Sequence, residues 1–259
     1  MYLEERRRKI LEELEKNGTV RVADISRQLN CSEVTIRNDI QAMHESGLLR
    51  RVHGGAILPA AASAEEQYLP DDPTLHRHEA EKREIAAAAY KLVKPQDMIL
   101  IDDATTSYYL AMQIRDNPEK PVAVVTNSLL VGVLLHGAKH VDLYMVGGSV
   151  GGRHAATFGE AAVHFISGLH VDKAFIGVHS INMDVGFTSI AAPQMEVKKA
   201  ILKSTDKVFV LADSSKFEGG YLFVVGPMTS AYQIITDSKV RPEYVERARR
   251  ENIPLVIAD

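Results

Sequence analysis

Seven short apolar runs, rich in β-branched residues, constrain this chain more than any other feature. They are MILID (98–102), VAVVT (122–126), VDLYMV (141–146), KAFIG (173–177), KVFVLA (207–212), QIIT (233–236) and PLVIA (254–258). Stretches of helical period separate them. Successive side chains of a strand point to opposite faces, so a strand that is apolar at consecutive positions must be covered on both sides. Such strands alternating with helices predict a parallel sheet with helices on both faces, an α/β domain. No internal repeat of fixed period is evident.

That domain does not use the whole chain. At 259 residues the sequence suits one small domain and one full-sized one. Residues 1–58 read as three helices and a hairpin. Ile10, Leu11 and Leu14 form the apolar stripe of a helix over roughly 4–16, closed by Asn17-Gly18. TVRV (19–22) is a short extended stretch, and ADISRQL (23–29) is a second helix buried through Ile25 and Leu29. After the turn at Asn30-Cys31, Ser32 is suited to cap a third helix that Gly47 ends. LLRRVHGGAIL (48–58) reads as two extended arms around Gly54-Gly55. Residues 59–75 shift to Ala, Pro and acidic residues without period and read as a linker. The α/β domain then takes residues 76–259, opening with a helix from near Glu79 to about Val93.

With 46% hydrophobic residues, general disorder is excluded. No apolar run of about 18 residues occurs, and the start, MYLEERRRKI, leads into no apolar signal region. A single cysteine, Cys31, makes an intrachain disulfide impossible and fits a reducing cytoplasm. Cys31 reads as a small hydrophobe plugging its turn, since nothing beside it in sequence would lower a thiol pKa. Residues 1–58 hold ten of the 30 Lys and Arg and nine of the 34 Asp and Glu, so the remainder carries the acidic surplus. The placement of charge, rather than its sum, has to carry the functional reading.

On the third helix a rotation of about 100° per residue puts Ile36, Ile40 and Met43 on one buried stripe. Val34, Arg37, Asn38 and Gln41 share the opposite face. Asp39 lies beside the stripe and reads as a structural residue holding a basic side chain or a backbone donor. A short helix, a tight turn, a second helix and a basic hairpin make a winged helix-turn-helix, whose second helix enters the major groove of double-stranded DNA. There Arg37 can pair bidentately with guanine, Asn38 or Gln41 with adenine, and Val34 can touch a thymine methyl. Ser32 and Thr35 sit where a helix N-terminus meets phosphate, and Arg50, Arg51 and His53 of the wing can straddle backbone or minor groove.

In the α/β domain, IDDATTSYYLA (101–111) follows a strand and opens a helix, placing Ala104 and the hydroxyls of Thr105, Thr106 and Ser107 at its N-terminus. That arrangement suits a phosphate, as it also suits an ordinary cap. TNS (126–128), GGS (147–149), FIGVHSIN (175–182) and ADSSKF (212–217) also place polar or glycine-rich residues just after apolar runs. In open parallel sheets ligands bind beyond the C-terminal strand ends. Lys216 would supply a cation there, Asp102 and Asn127 would meet sugar hydroxyls, and Gly148 would allow close backbone approach.

The stretch RRRKILEELEKNGTVRVADISRQLNCSEVTIRNDIQAMHESGLLRRVHGGA closely resembles the N-terminal domain of the DeoR family of bacterial transcriptional regulators. Its landmarks are TIR-D (35–39), G-L-R (47–51) and R-HGGA (51–56). The loops of the α/β domain resemble the family's C-terminal sensor, so the likeness covers nearly the whole chain except the linker. It implies a fold like ribose-5-phosphate isomerase and a phosphorylated sugar or sugar-derived effector. Four residues depart from the family pattern. Asn38 stands where a second arginine is common. Asp103 and Ala104 stand in a loop usually read Asp-Ser-Gly-Thr-Thr, which points to a narrower or shifted site or one tuned to an amino or otherwise cationic sugar. His179 replaces an acid in GVHSI (177–181) and would meet the ligand as a donor or neutral acceptor. GFT (186–188), Glu196 and Lys199 follow the remaining pattern.

Two classes of function fit these residues. One is a repressor of a sugar-catabolism operon, released by its effector. The other is a sugar-phosphate isomerase carrying a DNA-binding module, for which Glu196 would be the base. The winged motif and His179 in place of an acid favour the repressor, with no catalytic residue. His76/His78 and His136/His140 have metal-like spacing, but no Cys/His/Asp set completes a site, so neither metal nor cofactor is expected. Helix-turn-helix modules gain affinity by presenting two heads, so the expected partners are operator DNA, a phosphorylated sugar and further copies of the chain, as dimer or tetramer. No membrane partner is expected.

Overall fold

The computed structural model describes residues 3–45, 48–52, 54–57, 73–151, 155–217 and 219–258. The chain divides into two compact units, Met1–Gln67 and Tyr68–Asp259.

The first unit runs α1 (Leu3–Asn17), β1 (Thr19–Arg21), α2 (Val22–Leu29), α3 (Glu33–Glu45), β2 (Arg50–Val52) and β3 (Gly55–Ile57). Its core follows helical spacing: Ile10 and Leu14 from α1, Val22, Ile25 and Leu29 from α2, and Ile36, Ile40 and Met43 from α3. The strands pair antiparallel in the order β1-β3-β2, so the hairpin is a wing. Asn30 ends α2 in the left-handed conformation (φ 48°), which asparagine tolerates well. Cys31 is half-buried in this turn against the core, as a plug would be. Ser32 Oγ then accepts from Thr35 N at 3.1 Å, a side-chain cap for α3. Gly47, expected to stop α3, lies outside the described residues.

The second unit begins with α4 (Pro73–His76) and α5 (Glu79–Leu92). The sheet alternates with helices: β4 (Met98–Ile101), α6 (Thr105–Asp116), β5 (Val122–Thr126), α7 (Leu129–Leu135) and β6 (Val141–Met145). A hairpin, β7 (Ser149–Gly151) and β8 (Ala156–Phe158), leads to α8 (Glu160–Ser167) and β9 (Lys173–Gly177). Next come β10 (Ser180–Asn182), β11 (Gly186–Ser189), α9 (Ala192–Lys203), β12 (Val208–Leu211), β13 (Phe223–Gly226), β14 (Gln233–Thr236), α10 (Pro242–Arg250) and β15 (Leu255–Ile257). All seven apolar runs form one parallel sheet, ordered β15-β14-β12-β9-β4-β5-β6.

The alternation along each strand shows why those runs are continuous. Ile99, Ile101, Phe175, Phe209 and Leu211 face one core, shared with α5, α6 and α7. Leu100, Ala174, Ile176, Val208 and Val210 face the other, shared with α8, α9 and α10. Phe175 and Phe209 stack at 5.1 Å across β9 and β12, worth about 0.5–1.5 kcal/mol beyond the area they bury.

Two features depart from expectation. The strands of the small antiparallel sheet β10-β11-β13 and of the β7–β8 hairpin are three or four residues long, too short for alternation to stand out in sequence. The linker expected over 59–75 also ends earlier. Most of it lies outside the described residues, but Pro73–His76 is helical and Leu75 is buried in the second core. Tyr109 Oη donates to Leu75 O at 3.2 Å, so this stretch belongs to the α/β unit.

Candidate functional site

The first unit presents one polar helix face beside a basic wing. Val34 is 62% exposed although apolar, and Arg37 and Asn38 are exposed beside it. Arg37 Nη2 donates to Glu33 Oε2 at 2.7 Å, an i,i+4 pair open to water on both sides. Such a pair is worth a few tenths of a kcal/mol, so Arg37 can leave it for a base edge at little cost. Ser32 and Thr35 share a hydrogen bond of 2.8 Å at the helix start. Gln41 Oε1 accepts from Arg51 Nη1, tying the wing to α3. Arg50 and Arg51 are carried on β2, and His53 lies outside the described residues. Asp39 is buried and pairs with Arg6 and, at 3.5 Å, with Arg7 of α1, the structural role its wheel position implied.

In the second unit a cleft of about 410 Å³ opens at the C-terminal ends of β4, β9 and β12, within the size range of small-molecule sites. Thr105 and Thr106 line it from the first turn of α6, whose N-cap is Ala104. Alanine has no side chain to cap with, so the first-turn N–H groups are left for another acceptor, with the positive end of the helix dipole behind them. Gly177 and His179 line it after β9, Asp213 and Lys216 after β12, and Gln194 and Lys198 from α9. Thr74, Arg77, His78 and Lys82 close it from α4 and the start of α5. Four Lys and Arg against two Asp in the lining favour an anionic ligand.

Asp102 organises this end of the sheet without facing the cleft. Fully buried, its carboxylate accepts from Ala104 N at 3.1 Å, Ser107 Oγ at 2.5 Å, Gly177 N at 3.0 Å and Lys198 Nζ. It therefore locks the α6 loop to the β9 loop and to α9. Lys198 is also 3.9 Å from Asp103. Burial pushes the Lys198 ammonium down most strongly, but the charges of Asp102 and Asp103 and the hydrogen bond to Asp102 together raise it above its ordinary value. Lys198 is thus charged and held in place.

Residues 6–61 match the model described as the DeoR-like helix-turn-helix domain, and residues 77–238 match that of the DeoR C terminal sensor domain. The chain belongs to the DeoR family. It is a DNA-binding transcriptional regulator with a reading head and a sensor. The DeoR-type relatives it resembles include the HTH-type transcriptional regulator GolR of Listeria innocua serovar 6a, 29% identical over all of both chains. The lactose phosphotransferase system repressor of Lactococcus lactis subsp. lactis is 29% identical over 95% of each chain. The HTH-type transcriptional repressor GlcR of Bacillus subtilis is 27% identical over 100% of this chain and 98% of its own. Among solved structures, ribose 5-phosphate isomerase A of Methanocaldococcus jannaschii is similar over 54% of each chain, at 20% identity and a TM-score of 0.38. Translation initiation factor eIF-2B of Pyrococcus horikoshii OT3 is similar over 62% of this chain and 63% of its own, at 17% identity and a TM-score of 0.45. The likeness to the isomerase is distant and shows no enzymatic activity.

The departures from the DeoR pattern take on physical meaning in the structure. Ala104 sits at φ −74°, ψ 148°, an ordinary extended conformation, so replacing glycine costs no backbone strain here. Its methyl group uses space that only a glycine at 177 leaves, since a Cβ there would stand 2.3 Å from Ala104 Cβ. Asp103 lines the cleft but faces Lys198, which offsets its charge. His179 stands 3.4 Å from Ser189 Oγ through Nδ1, with its ring edge-on to Tyr221.

Several expected DeoR effector contacts lie elsewhere. Glu196 and Lys199 are exposed on the far side of α9, because Gln194 and Lys198, four residues apart, face the cleft. Asp102 and Ser107 lie behind the lining, bonded to each other. Asn127 is buried outside it and donates to Thr157 O at 3.2 Å. Gly148 (φ 146°) lets Phe158 O approach to 2.5 Å of where a Cβ would be, a packing role. Arg77, His78, Lys82, Gln194 and Lys198 were missed. Nothing local marks them except the high charge of 77–84, which reads equally as a solvated helix start.

Proposed function

We propose that this regulator represses a sugar-catabolism operon in the cytoplasm and leaves its operator when a phosphorylated sugar fills the cleft. The observation that carries this reading is the uncapped N-terminus of α6, with Thr105 and Thr106, opening into a cleft with a surplus of cations. Arg37, Asn38, Gln41 and Val34 read base edges, while Ser32, Thr35, Arg50 and Arg51 hold phosphates. The chain acts as at least a dimer, since two heads on repeated half-sites gain affinity that one head lacks. Effector binding favours a head arrangement that no longer fits the operator. The protein is a switch, not an isomerase: Glu196, the residue that would serve as base, is exposed and outside the cleft lining.

A thermal-shift panel of phosphorylated sugars tests this reading. A ligand at about 100 times its Kd adds about 2.7 kcal/mol to apparent stability. The sugar that raises the midpoint should also release operator DNA in a gel-shift titration. Thr106→Val should leave operator binding intact and blunt that release. Normal release by Thr106→Val would remove the phosphate site from α6.

A further inference from the structure

Among the described residues, two buried polar atoms of the cleft lining have no protein partner, and neither belongs to the first turn of α6. One is Asp213 Oδ2, of a side chain only 1% exposed. The other oxygen of Asp213 accepts from Ser215 N at 3.1 Å and from Ser215 Oγ, so the carboxylate is fixed in direction. The nearest cation to Oδ2 is Lys216 Nζ at 3.9 Å, too far for a hydrogen bond. The other orphan is His78 Nε2. His78 is held in the left-handed conformation (φ 56°, ψ 40°) as the N-cap of α5, yet its side chain caps nothing. A buried acceptor or ring nitrogen without a partner destabilises the fold, and a non-glycine residue at positive φ adds to that cost. Both side chains line the cleft.

Asp213 is set apart from the start of α6 by the strand order. Asp213 follows β12, and α5, whose N-cap is His78, packs on α6, β12 and β14. Thr105 and Thr106 follow β4, two strands away across β9, or about 10 Å at the usual strand spacing. That distance suits a phosphorylated sugar several carbons long, with its phosphate on α6.

The geometry points to His78 and Asp213 as the residues that hold the hydroxyl end of the effector. This assignment rests on reading the cleft as a sugar-phosphate site. A sugar hydroxyl donates to Asp213 Oδ2, and a neighbouring hydroxyl pairs with His78 Nε2, in whichever direction the ring tautomer allows.

The test uses the full chain and isothermal titration with inorganic phosphate, fructose 6-phosphate, tagatose 6-phosphate, glucosamine 6-phosphate and fructose 1-phosphate. His78→Asn suits the left-handed backbone, which asparagine tolerates, but cannot place a ring nitrogen; Asp213→Asn keeps the shape and removes the charge. For whichever sugar phosphate binds the wild type best, each substitution weakens binding about tenfold or more, while inorganic phosphate binds as before. Thr106→Val weakens both. Wild-type affinity for that sugar phosphate in His78→Asn and Asp213→Asn overturns the assignment and leaves the phosphate-site reading standing. Parallel loss of inorganic phosphate also overturns it, because the two residues would then act on the α6 end. Should the wild type bind none of the sugar phosphates, the reading of the cleft falls, and this assignment with it.

Discussion

Arg37 and Lys198 are both helix cations paired with carboxylates, and they carry opposite kinds of consequence. Arg37 lies in water beside Glu33, free to exchange its partner for a base. Lys198 is buried against Asp102 and Asp103, where its charge ties α9 to the loop before α6. The exposed position of Arg37 therefore carries little structural duty, whereas the cleft of the second unit shares residues with the core. A substitution at an exposed position of α3, such as Arg37, can test recognition with little change in stability. One at the floor of the cleft changes stability and ligand response together.

The largest effect is expected at Lys198. Lys198→Met leaves Asp102 buried without its counter-charge and should cost about 3–5 kcal/mol in chemical denaturation. The raised pKa fixes the pH sign. The ammonium's contribution is complete below its ordinary value of 10.5 and is lost as pH climbs through the raised folded value. Wild type should therefore lose stability in strong alkali, and Lys198→Met should lack that component. A cost under about 1 kcal/mol would break the contrast between the two regions.

Asp39 is the residue of the first unit that behaves like the sensor floor. Asp39→Ala removes the buried carboxylate that pairs with Arg6 and Arg7 and should cost about 2–3 kcal/mol of that unit's stability, measured by denaturant titration. Arg37→Ala should weaken specific operator binding by about 1–3 kcal/mol and relax base preference, with stability changed by less than about 0.5 kcal/mol. Gel shifts against point-mutated operators check the first, and melting checks the second. Unchanged base preference would take Arg37 out of the readout. Ser32→Ala is the smallest, about 1 kcal/mol of stability from the lost cap on Thr35 N. If its loss of DNA affinity were no larger than the stability change explains, Ser32 would be a cap and not a phosphate contact.

Periodicity served some elements better than others. The wheel of α3 separated Ile36, Ile40 and Met43 from Arg37 and Asn38 because a helix face is a local property. The seven sheet strands were legible for the same reason, since burial on both faces marks every residue of a run. Glu196 and Lys199 show where this ends. Lys198 and Lys199 are adjacent in sequence, yet about 100° of helix rotation puts one in the cleft and the other in water.

By itself, then, the sequence determined the seven parallel strands, the winged helix-turn-helix with its outward polar face, and the loop that starts α6. These depend on residue spacing within a few turns or one strand. Only the tertiary structure decided which residues of α9 face the cleft, that α4 and α5 close it, and that His78 Nε2 and Asp213 Oδ2 are left without a partner among the described residues. Those outcomes depend on how α5 and α9 pack onto β9 and β12, which contacts between residues as far apart as Asp102 and Lys198 establish.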